Sequence, residues 1–137
     1  MENRITIAGK EYHLMLTVHG LDELMERMGR DVEITDLPNY IRGMDAEGKP
    51  NAKEAWGRVI VLLRIMLQSA EDYHRMEAKL LGREYAQQTI PSADELAVLL
   101  SPGALTETQI LIMQTASASL RTTVRPDEKN GMSGETV

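Results

Sequence analysis

Cysteine is absent from this chain, phenylalanine is absent too, and there is no basic excess. Without cysteine there is neither a disulfide framework nor a thiol nucleophile, a composition compatible with a reducing cytosol. Without phenylalanine, and with one tryptophan, the core has to be filled by Leu, Ile, Val and nine methionines instead of rigid rings. Acidic residues outnumber basic ones by 21 to 15, for a formal charge of −6. That balance opposes the basic footprint on which nucleic acid or an anionic membrane surface depends, so a protein partner fits better. The longest apolar run, Val59 to Leu67, is interrupted by Arg64 and falls far short of the ~20 residues that span a bilayer. The start Met1-Glu2-Asn3-Arg4 lacks the apolar stretch of a signal peptide.

A chain of this length suffices for one core, burying roughly 68% of the surface exposed by the unfolded chain. The pattern predicts a mainly α (α+β) domain over residues 1–125, followed by a disordered tail over 126–137. Ile5 and Ile7, then Tyr12 and Leu14, flank Gly9-Lys10, which reads as a two-residue hairpin turn pairing Ile7 with Tyr12 and Ile5 with Leu14. In that register His13 faces Thr6 on the outer side. Such a hairpin needs cover for its apolar face, and Leu21, Leu24, Met25 and Met28 follow at helical spacing before Gly29. Pro38 fits the first turn of a short helix, Leu37 to Arg42, capped by Asp36. Gly43 to Pro50 reads as an exposed loop.

Asn51 caps a long helix to about Leu81, ahead of Gly82, with an expected buried stripe of Trp56, Val59, Leu63, Met66, Ala70 and Tyr73. This is the central helix on which the others pack. Glu77 falls where the next apolar residue is due, so the last turns are expected to leave the core. Ser92 with Glu95, and Thr106 with Gln109, read as capping boxes opening two further helices. Leu105 and Ile110 form a hydrophobic staple on the second, which should reach about Val124 with Ile110, Met113 and Leu120 inward. Met25, Met28, Met66 and Met113 lie on helical stripes and read as core, whereas Met15 falls on the hairpin face opposite Tyr12 and Leu14.

Chemistry is hard to find in the residues. His13, His19 and His74 have no second ligand at metal spacing; His74 and Glu77 share a helix face, which ordinary solvation explains. Ser117 and Ser119 lie in a helical Ala/Ser/Thr stretch and not in a nucleophile elbow, and no glycine-rich phosphate loop is present. The segment Arg83 to Gln88 has polar side chains of a DNA-reading helix but little positive charge and no clear partner helix. No catalytic residue, cofactor or metal is expected.

The pattern Ile5-x-Ile7-x-Gly9-Lys10-x-Tyr12-x-Leu14, then Thr17-Val18 and an amphipathic helix ending in Met28-Gly29, resembles the opening of the tail assembly chaperones of long-tailed bacteriophages. The order of a short second helix, loop, long central helix, shorter helices and polar end agrees with that family over Arg4 to Val124. The resemblance implies a non-enzymatic assembly factor in the cytoplasm of the bacterial host, absent from the finished particle. It would bind the tape measure protein and recruit tail tube subunits. Independently of the resemblance, a hairpin of only two readable strands is expected to leave an edge open to self-association, and the acidic balance argues against a nucleic acid or membrane partner. Family members often carry a frameshifted extension, and Glu128-Lys129-Asn130 is compatible with a slippery codon run. The candidate interaction residues are Arg4, Thr6 and His13 on the hairpin, Met15, and Met76 with Leu80 at the end of the long helix. A head-tail connector or tail completion protein, and a helix-turn-helix regulator, remain as alternatives.

Overall fold

Among the described residues an antiparallel hairpin, β1 (Asn3–Ile7) and β2 (Lys10–Leu14), leads into five α-helices. These are α1 (Val18–Met28), α2 (Leu37–Ile41), α3 (Ala52–Leu80), α4 (Ala93–Leu99) and α5 (Pro102–Leu120). The computed structural model describes residues 3–29, 34–45 and 47–120. The expected tail 126–137, the codon-run residues Glu128 to Asn130 and the helix end at Val124 lie outside them.

The hairpin turns on Ala8-Gly9, one residue earlier than the sequence suggests. Both residues have positive φ, 52° and 80°, the requirement of a type I′ turn. Ile5 therefore pairs with Tyr12 and Asn3 with Leu14, and His13 faces Arg4, not Thr6. Relative to the expected register the pairing slips by two residues, and a slip of two leaves every side chain on its original face. Ile7, Tyr12 and Leu14 are buried and Ile5 packs against the same core.

Thr17 caps α1 through Gly20 N–H at 3.1 Å, and its hydroxyl lies 3.4 Å from Ser69 Oγ on α3. A side chain at Gly20 would collide with that serine, so α1 crosses α3 closely where Gly20 lies. Gly29 ends α1, donating to Met25 O, as a C-terminal glycine is expected to do. A 3-10 turn, Ile34–Asp36, precedes α2, and Asp36 does not cap that helix through its side chain. Arg58 of α3 holds α2 by lying 4.4 Å from the centre of the Tyr40 ring and donating to Tyr40 O at 2.9 Å. In the 43–50 loop the Asp45 carboxylate accepts from Glu47 and Lys49 N–H, both at 2.9 Å.

Asn51 caps α3 by accepting from Glu54 N–H. The helix lies against β2, α1, α2, α4 and α5, and Val59, Leu62, Leu63, Met66 and Leu67 form the middle of the core. Its buried arc is rotated from the expected one. Ala55 and Leu62 extend it, while Trp56 is 44% exposed and Tyr73 is exposed as well. The first turns meet neighbours along the Ala55–Val59 line, and a ring one residue on points 100° away from it.

Ser92 and Glu95 form the expected capping box of α4. α5 begins a turn earlier than expected, because Pro102 occupies its first position and Ser101 Oγ caps Ala104 N–H. The inward line is Leu105, Thr108, Ile112, Thr115 and Ala116, leaving Ile110 and Leu120 exposed and Met113 half-buried. The two buried threonines satisfy themselves by donating to Ala104 O and Leu111 O, which lets polar residues take an apolar line.

Candidate interaction surface

The last turns of α3 are mostly exposed. Ala78 alone of Arg75 to Leu81 stays buried, whereas Met76 is 49% and Leu80 79% exposed, with Leu81 beside them. The helix continues into this region because nothing in its sequence breaks it before Gly82, whose φ of +67° ends it. Arg75 and Asp72 form an ion pair at 2.9 Å on its polar side.

Two grooves meet here. One, of about 640 Å³, lies between Met15 and Val18 at the β2–α1 junction, Tyr73 and Glu77 of α3, and Thr115 and Ser119 of α5. Its walls are tied together by Asn3 Nδ2 donating to Thr115 Oγ1 at 2.7 Å and Leu16 N–H donating to Ser119 Oγ at 3.2 Å. The other, of about 310 Å³, is lined by Tyr73, Met76, Glu77, Leu80 and Leu81. Tyr73 and Glu77 belong to both, and the Tyr73 hydroxyl donates to Glu77 at 3.2 Å.

Of the six residues singled out in the sequence, four gather around this end of α3. Met15 is half-buried in the first groove, with its N–H donating to Met66 O. Met76 and Leu80 line the second. His13 is half-buried, and its ring meets that of His74 edge-on with centroids 5.3 Å apart. Arg4 and Thr6 lie elsewhere, on the exposed outer side of the hairpin, where Arg4 pairs with Glu11 at 3.6 Å. Both side chains of that pair are more than half exposed, so it contributes little stability.

Sequence reasoning missed Glu71. It is 4% exposed, on the buried side of α3, and accepts from the Tyr85 hydroxyl at 2.8 Å and from Gln88 N–H at 3.1 Å. These bonds hold the segment from Leu81 to Pro91, which has no regular structure, as a strap across α3. Gln88 Nε2 also donates to Glu11 O on β2. Partial burial, followed by the hydrogen bond to Glu71 and its negative charge, pushes the Tyr85 phenol up from 10.0 to about 12. The one available signal was a carboxylate at an apolar phase of the α3 stripe.

Among the described residues no group of three His, Asp or Glu is placed to hold a metal ion, and no helix is long and apolar enough to cross a membrane. No family model, no curated protein and no solved structure matches the chain.

Proposed function

We propose that this chain is a non-enzymatic tail assembly chaperone of a long-tailed bacteriophage or prophage, binding the tape measure protein and helping to recruit tail tube subunits. The observation that carries the reading is the end of α3, where Tyr73, Met76, Leu80 and Leu81 expose apolar surface next to the Met15 groove. Contiguous exposed apolar side chains on an otherwise acidic protein suit contact with another chain. The hairpin pattern of Ile5 to Leu14 and the order of helices built on α3 agree with what the family resemblance implies.

The physical logic is multivalent. A long apolar-striped client is kept from aggregating by many copies of a charged chaperone, each making a small replaceable contact. Methionine suits such a contact because its unbranched, polarizable side chain adapts to varied surfaces. Binding would take place in the host cytoplasm, before tail completion.

Co-expression with the tape measure protein of the same phage tests the reading. The client should remain in solution and co-purify, and Met76→Glu combined with Leu80→Glu should weaken capture at least tenfold without unfolding the chaperone. Absence of co-purification at low and moderate salt rejects the proposal. Presence of the chain in purified particles favours a connector or completion protein instead. A tube gene upstream and a very long tape measure gene downstream would support the chaperone reading independently.

A further inference from the structure

We infer that the outer edge of β1 is the seam of a two-fold dimer, in which β1 of one copy pairs antiparallel with β1 of a second. The hydrogen-bond parity follows from the turn. A two-residue loop closes on a hydrogen-bonded pair, here Ile7 with Lys10, so Ile5 with Tyr12 and Asn3 with Leu14 are bonded as well. The N–H and C=O groups of Arg4 and Thr6 consequently point away from β2. Among the described residues no hydrogen bond reaches them, and both side chains are exposed.

The opposite edge of the hairpin is closed. Gln88 of the strap donates to Glu11 O, and Met15 N–H just beyond β2 donates to Met66 O of α3. The sheet can therefore grow in one direction only, which favours a closed pair over a fibre.

The exposed edge is complementary to itself. A two-fold axis at Ile5 sets Arg4 opposite Thr6 of the second copy and Thr6 opposite its Arg4, each pair exchanging two hydrogen bonds. All eight outward backbone groups at the seam are then satisfied. The two Ile5 side chains meet at the axis on the face that already carries Ile7, Tyr12 and Leu14, covering an isoleucine that is half-buried in the single chain. On the outer face the charges run Glu11, Arg4, Arg4 and Glu11 across the four strands, so each guanidinium keeps the carboxylate it pairs with in the single chain and the row is neutral as a whole. A second copy brings the same outward backbone groups at Arg4 and Thr6 and the same Ile5 to the axis by symmetry. The inference does not depend on the identity of any client.

Four hydrogen bonds and one central apolar contact make a small interface, with a dissociation constant on the order of 100 μM. Sedimentation of the full chain should show a monomer–dimer equilibrium in that range. Thr6→Pro removes a donor at each end of the seam without removing a bond to β2, and should weaken dimerisation about tenfold or more. Arg4→Glu leaves the backbone intact but sets four carboxylates side by side along that row, and should weaken dimerisation about threefold at low salt, with Glu11→Arg in the same chain restoring it. Because the chain has no cysteine, single introduced thiols report the register. At the axis, opposed α-carbons lie about 4.5 Å apart, so Ile5→Cys should give a disulfide-linked dimer on mild oxidation. Thr6→Cys should not, since those α-carbons are about 8 Å apart. A monomer up to about 1 mM overturns the inference, as does association unchanged by both Thr6→Pro and Arg4→Glu or equal cross-linking at the two thiol positions.

Discussion

Ala8 and Gly43 sit in the same unusual region of backbone space and respond to substitution in opposite directions. Ala8 adopts φ 52° at the first position of the hairpin turn, where an L-residue is strained. Ala8→Asn creates the Asn-Gly pair that type I′ turns favour and should stabilise the fold by about 1 kcal/mol in urea denaturation. Gly43 has φ +71°, and a side chain there would collide with Asn51 O and Ala55 N at the start of α3. Backbone atoms cannot step aside, so Gly43→Ala should destabilise by about 2 kcal/mol or more in the same assay. Trp56 shows how burial decides magnitude. A central-stripe position would make Trp56→Ala cost ~3–5 kcal/mol, whereas a ring 44% exposed should cost about 1 kcal/mol or less. Its fluorescence should be readily quenched by iodide in the native state.

Among the elements, the strap from Leu81 to Pro91 depends on one carboxylate. Glu71→Ala removes the acceptor for both Tyr85 and Gln88 N–H, and trypsin should then cleave after Arg83 about tenfold faster while α3 persists. The phenol adds a pH signature. Its folded value near 12 exceeds the unfolded 10.0, so its contribution is complete below pH 10 and declines as pH rises toward 12. Absorbance titration should show one tyrosine ionising late, and Tyr85→Phe should remove that late step. In α5, burial follows Leu105, Thr108, Ile112 and Ala116 because Pro102 and Ser101 start the helix early and the threonine hydroxyls are satisfied within it.

At the scale of the whole molecule, the described elements pack around the middle of one long helix and leave most of its last turns exposed. Leu63, fully buried where those elements converge, and Leu80, 79% exposed, are the same residue type on the same helix. Leu63→Ala should cost about 3–5 kcal/mol, and Leu80→Ala close to zero, with the denaturant dependence of unfolding unchanged in both. Among the described residues Met76, Leu80 and Leu81 gain little stability from burial, and they are the surface that the proposed contact with another chain would use.

Local chemistry was legible in the residues because its partners are near in sequence. Asn51 caps α3, Ser92 and Glu95 form a capping box, Gly29 and Gly82 follow their helices, and Ile5, Ile7, Tyr12 and Leu14 share a face whichever turn is chosen. The two-residue slip of the hairpin was not legible, since period-two alternation is blind to it and the choice fell to turn geometry and to Asn3 reaching Thr115. The rotation of α3 that exposes Trp56 was equally hidden, because a helix apolar nearly all round has no single inward phase until its neighbours impose one. Glu71, His13 and His74 acquired their surroundings only when α3 met the hairpin and the strap, contacts that span from 14 to more than 50 residues of chain and leave no local pattern to read.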